Sequence, residues 1–130
     1  MKIALDAMGG DRAPEVNIVG ARDALSLYPR IDTLFLTGDA DTLKKECRKH
    51  DLTDSRMEIV HAPEVVGMSE SAVNAIRRKK QSSIAVATDL VKDGHADAVI
   101  SAGNTGAAVA ASTLKLRLLE GVERAGIASP

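Results

Sequence analysis

Four short apolar runs, each followed by a turn and then by a segment with apolar residues at every third or fourth position, restrict the fold more than any other feature of this chain. The runs are Ile3 to Ala7, "TLFLTG", "MEIVHA" and "ADAVIS". They are nearly continuous in apolar character, which is the pattern of strands covered on both faces, as in parallel sheets flanked by helices. Between them, Ile18, Ala21, Leu25 and Tyr28 form one apolar helix face, with Pro14 in its first turn and Pro29 closing it. Ala40, Leu43 and Cys47 mark a second helix reaching about His50, and Ser69 to Lys80 reads as a third with a basic end. Ser82 or Ser83 caps a fourth, on which Ile84, Ala87 and Val91 line a face until Gly94 stops it. Ala107, Ala111, Leu114 and Leu118 give a fifth. Right-handed crossovers between parallel strands turn this order into a three-layer α/β/α sandwich with a mostly parallel, Rossmann-like sheet.

The 130 residues are 45% apolar but only 2% aromatic, enough for one core built from Ala, Val, Ile and Leu. No linker interrupts them, so residues 1–130 read as a single α/β domain. "RAGIASP" has the pattern of a fifth strand just beginning, which predicts that the chain is the N-terminal part of a longer one. A formal net charge of −1 with scattered signs argues against nucleic acid as a partner. Cys47 is the sole cysteine, which excludes an intrachain disulfide, and on an apolar helix face it reads as packing. His50, His61 and His95 fall into no metal-ligand spacing. The start "MKIALDAMGG" lacks a signal-peptide apolar region and no run approaches a membrane span, predicting a cytoplasmic protein.

Candidate chemistry lies in the turns. In open parallel sheets, ligands bind beyond the carboxyl ends of strands, where helix N-termini present unpaired N–H groups. "DAMGGD" offers Gly9 and Gly10, which let an anion approach the main chain, between Asp6 and Asp11. The two glycines equally suit a plain tight turn, and Asp11 equally suits a helix cap. Asp6, at the end of a buried strand, requires a partner, structural or catalytic. "SAGNTGA" adds Ser101, Gly103, Asn104, Thr105 and Gly106. Helix capping explains one of its polar residues, and an oxyanion such as phosphate or a carboxylate explains the group. The run "RRKKQSS", Arg77 to Ser83, is a solvated helix end or a grip for phosphate or an acidic protein. No P-loop and no dinucleotide fingerprint is present, and Asp39 reads as a helix cap.

Together, "IALDAMGGDRAP", "RRKKQSS", "LVKDGHADAVISAGNTGA" and "LLEGVERAGIA" resemble the phosphate acyltransferase family of bacterial phospholipid synthesis, in order and spacing, across essentially the whole chain. The resemblance implies a fold like that of phosphotransacetylases and of the isocitrate and isopropylmalate dehydrogenases. It implies transfer of a long-chain acyl group from acyl carrier protein to inorganic phosphate, without a cofactor. It also implies a homodimer, peripheral contact with the inner membrane face, and delivery of product to a membrane glycerol-3-phosphate acyltransferase. Asp6, Asp11 and Asn104 are then expected in catalytic roles. Gly9, Gly10, Ser101, Gly103, Thr105 and Gly106 are expected around the phosphate, with Lys79, Lys80, Ser82 and Ser83 near the phosphate or carrier-protein entrance. Family members are much longer, so the alternative for this chain alone is a non-catalytic phosphate- or nucleotide-binding module. A dinucleotide-dependent dehydrogenase is disfavoured by the missing fingerprint.

Overall fold

The computed structural model describes residues 1–128. In chain order the elements are β1 (Lys2–Asp6), α1 (Glu15–Leu27), β2 (Thr33–Gly38), α2 (Ala40–Lys49), β3 (Met57–His61), α3 (Ala72–Arg78), α4 (Ser83–Lys92), β4 (Ala98–Ser101) and α5 (Thr105–Lys115). The four strands form one sheet in the order β3-β2-β1-β4, and every pairing is parallel. Asp6, the last residue of β1, stands in register with Thr37 on one side and Ser101 on the other.

Strand alternation divides the apolar residues between two layers. Ile3, Leu34 and Leu36 pack with Ile18, Leu25, Leu43 and Cys47, so α1 and α2 cover one face. Ala4, Phe35 and Val99 point the other way and meet Ala87 and Leu90 of α4. Beyond α4, Ala107 and Ala111 of α5 pack on Ala75 and Ile76 of α3. Alanines at these positions let the helix axes approach closely, which suits a chain with few aromatic residues. The expected three-layer α/β/α architecture is the one observed. No helix among the described residues is long and apolar enough to cross a membrane.

Local expectations hold at several points. Asp39 caps α2: its carboxylate accepts the Thr42 hydroxyl at 2.6 Å and the Thr42 N–H at 2.9 Å, and these contacts, the hydroxyl first, hold its carboxyl below the usual value. Gly94 follows α4 at φ +76°, and Cys47 is buried, with burial pushing its thiol up.

Others are corrected. Tyr28 does not continue the α1 face: the helix ends at Leu27, and the tyrosine side chain is exposed beyond the last turn. Pro14 occupies the N-cap position of α1 rather than its first turn. The third helix begins at Ala72, not Ser69, because Gly67 and Glu70 close a turn of their own: the Gly67 N–H donates to the Glu70 carboxylate and the Glu70 N–H to the Gly67 carbonyl. α5 ends at Lys115, which leaves Leu114 half-exposed and Leu118 outside the helix. No strand forms over 124–128, and the remainder of the expected fifth strand, 129–130, lies outside the described residues.

Candidate functional site: two glycine turns at the switch point of the sheet

The chain leaves β1 towards α1 on one face and leaves the neighbouring β4 towards α5 on the other. Between β1 and β4 the direction of strand progression reverses, and this is where open parallel sheets part to form a ligand crevice. Both glycine-rich turns lie there, pressed against each other. A Cβ on Gly9 would stand 2.5 Å from Asp6 Oδ2 and 2.9 Å from the Gly103 nitrogen, and one on Gly103 would stand 3.0 Å from the Gly9 Cα. These two glycines therefore serve contact between the turns. Gly10 serves conformation, with φ +108°.

Asp6 lies under this contact, 3% exposed. Its Oδ2 accepts the Ser101 hydroxyl at 2.7 Å, and the Ser101 oxygen in turn accepts the Gly103 N–H at 3.1 Å. The other carboxylate oxygen, Oδ1, is buried with no partner among the described residues. A buried carboxylate with half its accepting capacity unused is costly, and this one lies between the two glycine turns. The α1 side of the site is tied by a residue the sequence reading missed. Asn17 donates its amide to the carbonyls of Ala7 at 2.9 Å and Gly9 at 2.8 Å, fixing the "DAMGGD" turn to α1. Its signal, a polar residue on the first turn of a helix after a glycine turn, is too common to single out.

Asn104 is the most heavily used side chain of the site. Its Oδ1 accepts the Ala107 N–H at 3.0 Å, capping α5. Its Nδ2 donates to the carbonyls of Gly67, Met68 and Glu70 at 3.1–3.2 Å, binding the 67–70 turn to the helix start. The N–H groups of Asn104, Thr105 and Gly106 have no acceptor among the described residues. Asn104→Asp keeps the cap but sets an anion against three carbonyl oxygens. It is expected to cost about 2 kcal/mol in urea unfolding and to speed amide exchange at Gly67 and Glu70.

Glu70 completes that turn. Lys79 Nζ donates to its Oε1 at 2.6 Å and to the Val65 carbonyl at 2.7 Å. First this lysine, then the Gly67 N–H, hold the Glu70 carboxyl below its ordinary 4.5. A depressed carboxyl contributes its stability in full above the unfolded value and loses it as pH falls through the folded one. Protection of the Gly67 amide is therefore expected to be flat above about pH 5 and to fall progressively in more acid solution, with Glu70→Gln removing the pH dependence.

The chain matches the family described as Fatty acid synthesis protein over residues 1–129. It belongs to the fatty acid synthesis protein family. Among curated relatives, it is 58% identical over 127 residues to a phosphate acyltransferase of Akkermansia muciniphila, covering 98% of this chain and 36% of the relative. A phosphate acyltransferase of Desulforamulus reducens is 52% identical over 132 residues, covering 99% and 38%. One from Geobacter sulfurreducens is 49% identical over 128 residues, covering 98% and 36%. The chain thus spans little more than a third of the length of the relatives it matches, and the resemblance read from the motifs is the family found.

In this family member the remaining expected residues lie apart from the turn contact in different degrees. Asp11 is exposed and does not cap α1, since Pro14 holds that position; with Arg12 and Ala102 it borders a cleft of about 210 Å³ beside Gly9 and Gly10. Thr105 and Gly106 open α5, both exposed. Ser82 and Ser83 are fully buried, against the expectation of an entrance. The Ser83 carbonyl accepts the Thr37 hydroxyl at 2.9 Å, and that hydroxyl also reaches the Leu5 carbonyl at 3.1 Å, so α4 starts beside the strand end that carries Asp6. Ser82 Oγ has no partner there. Lys80 is exposed between α3 and α4, without an ion pair among the described residues. No group of three or more His, Cys, Asp or Glu side chains among the described residues is placed to share a metal ion.

Proposed function

We propose that this chain is the N-terminal part of an enzyme that transfers a long-chain acyl group from acyl carrier protein to inorganic phosphate. The observation that carries the reading is the pair of packed glycine turns at the switch point, with the unpaired N–H groups of Asn104, Thr105 and Gly106 beside them. Names of relatives supply the reaction class. Phosphate near neutral pH is already an anion, so the protein need not generate a nucleophile. It must hold the anion in line with the thioester carbonyl.

In this reading a phosphate oxygen attacks the carbonyl carbon, and N–H donors steady the negative charge that develops on the carbonyl oxygen. The C–S bond then breaks, acyl phosphate forms, and the carrier thiolate leaves to take a proton from water. The start of α5 holds the phosphate. Asp6 is a positioning residue: through Ser101 it sets the Gly103 N–H and with it the path of the turn into α5. Gly9 and Gly10 shape the facing wall. Arg77, Arg78 and Lys80, all exposed, steer the acidic carrier protein towards the site. The enzyme works as a homodimer in the cytoplasm, in peripheral contact with the inner membrane face.

The test uses the full-length protein with palmitoyl carrier protein. Thiol release that rises with inorganic phosphate, together with a hydroxylamine-reactive acyl product, is the expected result. Thiol release indifferent to phosphate, or none, would sink the reading.

A further inference from the structure

The two edges of the sheet differ in composition. β3, at one end of the strand order, carries Glu58 and His61 with both side chains exposed, the charged and polar pattern by which an edge strand resists pairing. β4, at the other end, reads Ala-Val-Ile-Ser, without a charge or a proline, and pairs with β1 alone among the described residues. Its outer row of backbone groups is unguarded.

The face beside that edge is bare as well. Ile100 stands in register with Leu5 and shares its side of the sheet, the side covered by α1 and α2, yet it is 51% exposed. A trough of about 240 Å³ lies there, with Val16 and Ala24 of α1 on one side and Ile3, Leu5 and Ile100 on the other. Parallel sheets are covered on both faces, and α5 does not supply this cover because it packs with α3 and α4 on the opposite face.

Chain direction decides what arrives at the edge. From β1 through α1 to β2 the strands progress away from β4, with the helix on the α1 side. A crossover of the same right hand, with its helix on the opposite side, progresses the other way. α5 leaves β4 on that opposite side, so the next strand falls on the free edge of β4. Length is not lacking, since the chain spans little more than a third of its relatives.

Resting on the reading of this chain as the N-terminal part of a longer enzyme, we propose that the free edge of β4 and the trough beside it are the docking surface for the polypeptide beyond residue 130. That polypeptide lays a fifth strand parallel to β4 and a later helix over Ile100 and Val16. A second copy suits the surface less well. A two-fold axis pairing two such edges sets β4 antiparallel to itself at the end of an all-parallel sheet, and a strand of 4 residues gives little area to hold two chains.

The test uses the full-length protein. Ile100→Cys and Val16→Cys are expected to react with a maleimide at least about tenfold more slowly than Leu27→Cys at the exposed end of α1, read peptide by peptide. To identify the cover, Ile100→Met and Val16→Met are produced with a photoreactive methionine analogue and irradiated. Methionine is a mild exchange at these two partly exposed positions, so folding is retained. Cross-links from both positions to residues beyond 130, in product that keeps the mass of one chain under denaturing conditions, are the expected result. Product of twice that mass assigns the surface to a second copy and overturns the proposal. Cross-links confined to residues 1–130, or Ile100→Cys reacting as fast as Leu27→Cys, overturn it equally. Neither readout depends on catalysis: the expected cross-links without phosphate-dependent thiol release sink the reaction and leave the docking, and thiol release without the cross-links sinks the docking alone.

Discussion

Gly9→Ala is expected to be among the most damaging single-methyl additions this chain can receive. The new Cβ would stand 2.5 Å from the Asp6 carboxylate and 2.9 Å from the Gly103 nitrogen. Neither neighbour can give way: one is a buried carboxylate already held by Ser101, the other is main chain at the turn between β4 and α5. Relief requires the two turns to part, which separates the ends of adjacent strands. The expected cost is about 3 kcal/mol in urea unfolding, at the upper end for overpacking. Gly20→Ala is the control. It lies within α1 with nothing within 4 Å of the added carbon, and should stabilise by up to about 1 kcal/mol through helix propensity. Equal effects of the two changes would show that the turns do not pack as described.

Ser101→Ala is expected to cost about 2–3 kcal/mol, because it removes the one donor that Asp6 has among the described residues and leaves a buried carboxylate without a partner there. The larger share of that cost lies with the stranded acceptor, not with the lost bond. Removing the carboxylate as well should therefore restore part of the loss. The double variant Asp6→Ala/Ser101→Ala is expected to fall short of the sum of the single changes by about 1 kcal/mol or more. Strict additivity in urea unfolding would mean that the two side chains are energetically independent, and Asp6 would lose its positioning role.

The strands were legible because their signal is local. Residues such as Leu34 and Phe35 are covered from opposite sides, and a run of apolar residues records that directly. The helix faces were legible up to their ends. Tyr28 and Leu118 fit the spacing yet fall past the last turn, because a period of three or four residues carries no stop signal unless a cap or a glycine supplies one. The glycine turns were visible as turns, but their mutual contact was not, since Gly9 meets Gly103 only through a parallel pairing that spacing along the chain does not reveal. Ser82 and Ser83 show the opposite failure. A hydroxyl pair after a basic run reads as surface, and only the packing of α4 on the sheet puts both inside. Asn104 was singled out correctly as a residue of the turn, while its hold on Gly67, Met68 and Glu70 depends on a segment more than thirty residues earlier.

The position of β4 beside β1 also bears on how the molecule comes to be. Ser101 and Asp6 are 95 residues apart, as are Asp97 and Lys2, whose contact starts the same strand pairing. The β1–β2 and β2–β3 pairings close much shorter spans, so a partly folded chain can acquire β1, β2 and β3 with their two covering helices first. Until β4 arrives, β1 is an open edge and the "DAMGGD" turn has nothing opposite it. On this order the candidate site is among the last parts of the sheet to be assembled, and the segment that completes it also covers an edge that would otherwise be open to wrong pairing with another chain.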